Sequence, residues 1–223
     1  MKPCFGRSLL STAYFPPVEY FFVIANSDEV LVEQYENYQK QSWRNRCRIL
    51  SAAGPEDLSV PVVKEERRSR PIRDIRIDYS EPWLQHHVRA FAAAYNASAY
   101  YDYYAGELLP LLERRPAFLF DLNRSLTERL MSLLDLRTPL SLSTRFVPAG
   151  PEADQSYFDG RSRIQPKYKG ESLLAEYGFQ QAYYQVFVNR DPAADGSAFV
   201  PNLSILDLLS AEGPNAGAFL RIP

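Results

Sequence analysis

The first 34 residues alternate between an extended and a helical pattern, and this alternation constrains the fold more than any other feature. Residues 8–15 (SLLSTAYF) are typical of a strand, which the following Pro16-Pro17 ends because proline has no N–H for a ladder. Apolar residues then recur at helical spacing over residues 18–25, and the β-branched run 29–34 predicts a second strand. A strand, a helix and a strand in this order favour a parallel pair with a right-handed crossover.

Further strands and a helical region complete an α/β pattern. Residues 45–51 and 58–63 predict a hairpin around a turn at residues 53–56, and residues 140–147 and 184–188 predict two late strands. Between about residues 82 and 135, leucine and aromatic side chains repeat at helical spacing, which is typical of helices packed on a core. We therefore expect one α/β domain over residues 1–223, with a mixed central sheet flanked by this helical subregion.

The amino-acid composition of the chain argues against nucleic acid and membranes as its partners. The chain has 25 basic and 27 acidic residues and a net charge of −2, so no global field attracts nucleic acid, and no nucleic-acid partner is expected. The chain has no apolar run of the roughly 18 residues that a spanning helix needs, and the N-terminus lacks the apolar centre of a signal peptide. Cys4 and Cys47 show no metal or redox spacing. The sequence thus predicts a cytoplasmic protein without membrane insertion.

The polar segment 33–49 (EQYENYQKQSWRNRCRI) stands between two predicted strands and contains almost nothing that could fill a core. Arg44 and Arg46 alternate along an extended pattern, so we expect them to share a face and to offer forked donors to a phosphate or carboxylate. Tyr38 and Trp43 could stack on a sugar ring. The alternative is a set of salt bridges and hydrogen bonds that pins a loop to the sheet.

The segment 199–209 (FVPNLSILDLL) holds a second set of candidates. Asp207 is a carboxylate inside an apolar helical pattern, so it must be exposed, paired or functional, and we expect it to pair with Arg44 or Arg46. Asn202 and Ser204 either cap this helix or contact a ligand. The helix is predicted to begin at residue 201 or 202 and to end at residue 213.

Standard catalytic motifs are missing from the sequence. There is no P-loop and no dinucleotide-binding glycine pattern. His86 and His87 are adjacent, so on a helix they cannot both face one metal, and we expect one to be packed and the other exposed. Residues 148–172 predict a long loop, which is a further candidate site. No metal site and no particular cofactor are predicted.

Four blocks, TAYFPPVEYFFVI, NYQKQSWRNRCRI, LSVPV and FVPNLSILDLL, resemble the WbqC-like protein family over about residues 11–213. The resemblance implies a cytoplasmic bacterial protein of surface-polysaccharide (O-antigen) biosynthesis. It also adds Tyr14 and Asn45, which lie in these blocks, to the candidate ligand contacts. The strand, F-x-P turn and helix further resemble the start of Rossmann-like nucleotidyltransferases.

The sequence and this resemblance together predict a transferase that moves an acyl or aminoacyl group onto an amino-sugar or nucleotide-sugar acceptor. The ligand is expected to be a small anionic or sugar-containing molecule. Two alternatives remain open: a noncatalytic module that binds a glycan precursor or a partner, and a nucleotidyltransferase-like enzyme. The candidate catalytic residues are Glu36 as a base, Lys40 and Asp207, and the candidate substrate contacts are Tyr14, Tyr38, Trp43, Arg44, Asn45, Arg46, Asn202 and Ser204.

Overall fold

The N-terminal unit has the predicted order. In the computed structural model, which describes residues 5–64, 70–149, 156–178, 182–188 and 199–222, it consists of strand β1 (Arg7–Ser11), helix α1 (Val18–Ala25) and strand β2 (Glu29–Glu33). The two strands pair in parallel, which confirms this part of the prediction. β1 ends earlier than predicted, and Phe15 has a φ of 39°, a left-handed conformation that cannot extend a strand.

The predicted hairpin forms its own two-stranded antiparallel sheet from β3 (Arg46–Ser51) and β4 (Gly54–Ser59). Ser51 pairs with Gly54, so the turn is Ala52-Ala53, and the turn predicted at residues 53–56 lies too far along the chain. Gly54 has a φ of 106°, which side-chain-bearing residues rarely adopt, and this lets the second strand start directly after the turn.

The predicted helical region contains α2 (Trp83–Tyr95), α3 (Tyr101–Glu113) and α4 (Leu119–Leu133). Their apolar stripes face inward and join one core; fully or nearly fully buried members are Phe91, Leu108, Leu112, Leu119, Leu122, Leu126 and Leu130. His87 is buried and His86 is exposed, as predicted. Among the helices of the described residues, none is long and apolar enough to cross a membrane.

The main sheet is completed by β5 (Leu140–Leu142) and β6 (Tyr157–Asp159). Its strand order is β5-β2-β1-β6, and all three pairings are parallel. The α/β class is therefore confirmed, with a parallel sheet and a separate antiparallel pair instead of one mixed sheet. The Rossmann-like character of the N-terminal end stays a prediction.

Two late strands were misassigned from the sequence. β6 lies inside residues 148–172, which were predicted to be a loop, because a three-residue strand leaves too short a pattern to recognise. Residues 184–188 form no strand, and residues 186–188 are turn or bend. There the side chain of Gln185 bonds both the N–H and the carbonyl of Val200, at 2.9 and 2.8 Å, in place of a strand ladder.

The C-terminal part adds α5 (Leu173–Glu176), α6 (Ile205–Glu212) and α7 (Ala216–Phe219). α6 begins later than predicted because Ser204 is its N-cap and accepts a hydrogen bond from the N–H of Leu206 at 3.4 Å. The residues before α6 pack against those before α1: the N–H of Ile205 donates to the carbonyl of Pro16 at 2.9 Å. The two ends of the chain thus meet beside the main sheet.

Candidate functional site

The strand order locates a crevice at one edge of the main sheet. All four strands point the same way, so their carboxyl ends meet at that edge. The chain runs from β1 to β2 on one side, whereas β6 lies on the other side of β1. In open α/β sheets, ligands bind beyond the carboxyl ends of the strands at such a reversal of strand order. The fold therefore indicates the gap between the ends of β1 and β6.

A shallow cleft, here named the switch-point cleft, occupies this gap. Residues from four separate stretches of chain line it, among them Ser11, Thr12, Tyr20, Trp43, Arg44 and Gly160. Gly160 permits the close approach of β1, because a Cβ at this position would lie 2.6 Å from Cδ2 of Leu10. The enclosed space of the cleft is about 10 Å³, room for about one water molecule, so the cleft can take a single polar group of a ligand whose remainder lies at its mouth.

A buried ion pair forms one wall of the cleft. Nε and Nη2 of Arg44 donate to the two carboxylate oxygens of Glu36 at 2.9 and 2.5 Å, and Nη2 also donates to Oγ of Ser11 at 2.7 Å. Arg44 is 2% exposed and Glu36 6%, so little solvent screens the pair. Asn123 of α4 holds the same wall by donating to the Arg44 carbonyl at 2.7 Å. The guanidinium charge is neutralised within the protein, and with both oxygens engaged, Glu36 is suited to positioning Arg44 rather than to accepting a proton.

Three residues with hydroxyl groups line the cleft, Ser11, Thr12 and Tyr20, and the last two differ in their hydrogen bonding. The Tyr20 hydroxyl donates to the Ser11 carbonyl at 2.9 Å. Burial raises the pKa of Tyr20, the Glu36 carboxylate raises it further, and only Arg44 opposes this, so the phenol stays protonated at neutral pH. The Thr12 hydroxyl has no hydrogen bond with any described residue and is the group left available to a ligand.

A second ion network holds the ends of β2 and β6 behind the cleft. Nε and Nη2 of Arg161 donate to Asp159 at 2.9 and 2.6 Å, and Nη1 donates to the Val147 carbonyl at 2.7 Å and lies 3.8 Å from Oε2 of Glu33. Glu33 is fully buried and accepts from Oγ of Ser143 and from the Val147 N–H, each at 2.7 Å. These bonds hold the segments at the ends of β2, β5 and β6 against the edge of the sheet.

Groups of the segment before α6 accept the hydrogen bonds of the first N–H groups of α1. In many doubly wound proteins this helix end binds phosphate. Here the Val18 N–H donates to the Leu203 carbonyl at 2.9 Å, and the Glu19 N–H donates to Oδ1 of Asn202 at 3.0 Å. The Glu19 carboxylate accepts from Nδ2 of Asn202 and from the Leu173 N–H, at 3.1 and 2.5 Å. Asn202 therefore caps α1, not α6, and a phosphate would meet engaged donors and a carboxylate.

The predicted arrangement of cationic side chains is wrong in one respect. Arg44 lies in the turn before β3 and points toward the sheet edge, whereas Arg46 lies on the strand, so the two do not share a face. Arg46 donates to Oδ2 of Asp57 at 3.1 Å, and Arg48 donates to Oδ1 of the same carboxylate at 2.7 Å. Lys40 is exposed and makes no hydrogen bond or ion pair with any described residue.

Of the aromatic candidates, Trp43 lines the cleft and Tyr14 does not. Tyr14 is fully buried with its hydroxyl 2.9 Å from Nδ1 of His87, and burial raises its pKa, followed by the effects of Cys47 and Tyr79. It packs in the interior as a structural residue. Trp43 is also buried, and the guanidinium carbon of Arg48 lies 5.4 Å from the centre of its ring.

Two other candidates hold neighbouring segments together. Nδ2 of Asn45 donates to the Val60 carbonyl at 2.9 Å, which fixes the chain after β4 to the loop before β3. Tyr38 is half-buried, and its N–H donates to the Arg70 carbonyl at 3.1 Å. These contacts agree with the alternative in which part of the polar segment pins a loop to the body of the protein.

Asp207 lies apart from the cleft, and its predicted ion pair is wrong. Among the described residues it forms no ion pair with Arg44 or Arg46, which are held by Glu36 and Asp57. Its Oδ2 instead accepts from Nε2 of Gln185 at 2.8 Å. Burial raises the pKa of Asp207 to about 6, and Gln185 and the nearby Tyr183 hydroxyl offset only part of that effect. The carboxylate thereby ties the segment of Gln185 to α6.

The structure adds cleft residues that were not selected from the sequence: Ser11, Thr12, Tyr20 and Gly160. Binding sites collect at the carboxyl ends of such strands, but the sequence indicated a strand over residues 8–15, so Ser11 and Thr12 were placed inside it and not at its end. Gly160 had no comparable signal, because its place beside β1 depends on the unrecognised strand β6.

Comparisons with known proteins give one family and one uncharacterised relative. The model of the WbqC-like protein family matches residues 12–219. The chain is similar to the uncharacterized protein Rv1507c of Mycobacterium tuberculosis, with 30% identity over 226 residues that cover 96% of each protein. No solved structure matches the chain significantly.

Proposed function

The chain belongs to the WbqC-like protein family, and we propose that it is a cytoplasmic transferase of bacterial surface-polysaccharide biosynthesis. In this proposal it moves an acyl or aminoacyl group onto an amino sugar, free or nucleotide-linked, whose amine enters the switch-point cleft and whose ring lies at the mouth of the cleft. The position of that cleft carries the proposal, because it lies at the carboxyl ends of β1 and β6 and combines hydroxyl, guanidinium and indole groups.

The lining suits a hydroxylated ring better than a phosphate. A sugar presents hydroxyl groups around an apolar ring face, and the cleft offers the Thr12 hydroxyl for the former and Trp43 for the latter. Arg44 contributes a polar wall, but Glu36 already balances its charge. The filled N-terminus of α1 likewise argues against a phosphate there, and so against the nucleotidyltransferase-like alternative.

The transfer itself would join the two substrates at the sugar amine. The amine attacks the carbonyl carbon of an activated acyl donor, an amide bond forms, and the leaving group departs with the amine proton. Thr12 is the residue we assign to holding the reacting amine, and Arg44 and Glu36 are positioning residues for the wall beside it.

One observation favours the noncatalytic alternative. The titratable side chains that line the cleft are Tyr20 and Arg44, and both are engaged by hydrogen bonds within the described part of the chain. An enzyme needs a proton acceptor in its site, whereas a binding module needs only donors and an apolar face. Incubation with glucosamine and acyl thioesters, analysed by mass spectrometry, separates the two: N-acyl product supports the transferase, and binding without product supports the module.

Thr12→Val is expected to weaken amino-sugar binding about fivefold, the effect of losing one hydrogen bond worth about 1 kcal/mol. Isothermal titration with glucosamine and with a nucleotide-linked amino sugar measures the change. Arg46→Ala is the matched control, because Arg46 lies on the hairpin beside Asp57 and does not line the cleft. Equal weakening by both variants would place the ligand elsewhere and overturn the proposed site.

A further inference from the structure

Two segments of chain flank the switch-point cleft and meet at the protein surface. The segment before Arg44 lies beside the polar wall of the cleft, because Oε1 of Gln39 accepts from Nη1 of Arg44 at 3.4 Å. The other segment follows Ile164, which lines the cleft on the β6 side. Nζ of Lys167 in this segment donates to Oε1 of Gln41 in the first. Lys167 and Gln41 are both exposed, so their contact lies on the solvent side of the cleft, at its mouth.

Lys40 and Lys167, here named the mouth lysines, carry charges that no described carboxylate balances in an ion pair. Lys40 is exposed and lies in a turn that Ser42 closes by donating from Oγ to the Gln39 carbonyl at 2.7 Å. The bond of Lys167 to Gln41 is a bond to a neutral amide, which holds the ammonium group in place without cancelling its charge. The two ammonium groups therefore stand on adjoining segments with their charges available to a ligand.

The other charges around the cleft cancel. Glu36 and Asp159 each accept two hydrogen bonds from the guanidinium group of an arginine. Farther along the second segment, Lys169 and Glu171 are exposed and carry opposite charges. A ligand at the mouth of the cleft thus meets a positive potential that comes mainly from the two mouth lysines.

We propose that the mouth lysines bind a phosphate group of the acceptor sugar. The inference rests on the proposed function, since it takes the amine to enter the cleft and the sugar ring to lie at the mouth. A free amino sugar offers no anion to these lysines, whereas a phosphate ester does, and lysine binds phosphate as a point charge. The acceptor is then a phosphate-bearing amino sugar, such as a sugar 1-phosphate or a nucleotide-linked sugar, rather than the free sugar.

The phosphate lies outside the cleft in this arrangement. The N–H groups of Val18 and Glu19 at the start of α1 are engaged by the segment before α6 and take no part in binding it. The enclosed part of the cleft receives only the amine, which matches its room for about one water molecule.

The test is the gain in affinity that a phosphate brings. Glucosamine and glucosamine 1-phosphate are titrated against the protein by calorimetry at low and high salt. Two exposed ion pairs, each worth about threefold, are expected to tighten binding of the phosphate ester about tenfold at low salt. Most of this gain should vanish between ionic strengths of about 0.05 and about 0.5 M, because salt screens exposed charges. Equal affinities for the two sugars at low salt overturn the inference.

The double variant Lys40→Gln with Lys167→Gln makes the test specific. It removes both charges and keeps polar side chains, so the ratio of the two affinities should fall from about ten to about one. Lys64→Gln is the matched control, because Lys64 is exposed and lies outside both segments, next to Val63, which bonds the Arg76 carbonyl. This control should keep the wild-type ratio. A gain that survives the loss of both mouth lysines places the phosphate elsewhere and overturns the inference.

Glucosamine linked to uridine diphosphate distinguishes the two kinds of phosphate ester. An affinity equal to that of glucosamine 1-phosphate supports a site that binds the phosphate alone. Tighter binding that the double variant removes supports the nucleotide-linked sugar as the acceptor.

Glucose 1-phosphate, which lacks the amine, separates this inference from the proposed function. If it binds as tightly as glucosamine 1-phosphate and the double variant weakens it, the phosphate site stands and the proposed amine acceptor is wrong. If Thr12→Val weakens the binding of glucosamine and the phosphate adds no affinity, the proposed acceptor stands and the phosphate site is wrong.

Discussion

Arg44→Ala is expected to lower the free energy of unfolding by about 3–5 kcal/mol, the usual cost of removing one partner from a buried ion pair. The substitution leaves the Glu36 carboxylate, 6% exposed, without its counter-charge, and it also removes a donor from the Ser11 hydroxyl. Most of the expected loss arises from the buried charge that remains, rather than from the attraction that is lost. Urea unfolding at neutral pH measures it.

Two control variants test whether the loss of stability comes from the buried Arg44–Glu36 ion pair. Arg46→Ala should cost less than about 1 kcal/mol, because that pair is partly exposed and Asp57 keeps its bonds with Arg48. The double variant Arg44→Met with Glu36→Gln removes both charges and should recover much of the loss. A cost for Arg44→Ala as small as that for Arg46→Ala would show that the Arg44–Glu36 pair is solvated, and the described wall of the cleft would be wrong.

Asp207→Asn is expected to raise the free energy of unfolding at pH 7 by about 2–3 kcal/mol. Burial raises the pKa of Asp207 from 3.8 to about 6, so the ionised carboxylate destabilises the folded state. The stability that the protonated group contributes is present below pH 4 and is lost as the pH rises from about 4 to about 6. Asparagine has no charge to bury and can still accept the hydrogen bond of Gln185.

The free energies of unfolding of Asp207→Asn and wild type are measured with urea from pH 4 to pH 7. Their difference isolates the effect of Asp207 from that of the other titrating groups. It should be near zero at pH 4 and largest above pH 6. In wild type, His87 changes the stability in the opposite direction. Burial, followed by the effect of His86, lowers the pKa of His87 from 6.5 to about 4. The stability that the neutral imidazole contributes is therefore lost as the pH falls from about 6.5 to about 4. If Asp207→Asn destabilises more at pH 7 than at pH 4, the ionised carboxylate is needed and our account of it is wrong.

Local signals were sufficient for much of the fold. The parallel pair β1 and β2 followed from the order of an apolar run, a Pro-Pro stop, a helical repeat and a β-branched run. The helices between residues 83 and 133 followed from long periodic stripes. β6 was missed because three residues give no period, although its pairing with β1 creates the reversal of strand order on which the candidate site depends.

The candidate site was predicted only in part. Trp43 and Arg44 were selected by residue type, and both line the cleft. The directions of their side chains could not be predicted from the sequence. The prediction assumed that side chains alternate from Arg44 onward as in a strand, but the strand begins at Arg46 and Arg44 lies in the turn before it. The predicted pairing of Asp207 with an arginine rested on charge alone, and the structure satisfies the carboxylate with a neutral amide.

The two tryptophans of the chain allow a direct test of where the ligand binds. Trp43 lines the switch-point cleft, whereas Trp83 packs against Tyr79 and His87 and does not line that cleft. Each has one indole N–H, and Trp43→Phe assigns the two signals in a ¹H–¹⁵N spectrum. Titration with an amino sugar should shift the signal of Trp43 and leave that of Trp83 unchanged. A sugar that binds by calorimetry and yet leaves the Trp43 signal unmoved would contradict a sugar site between β1 and β6.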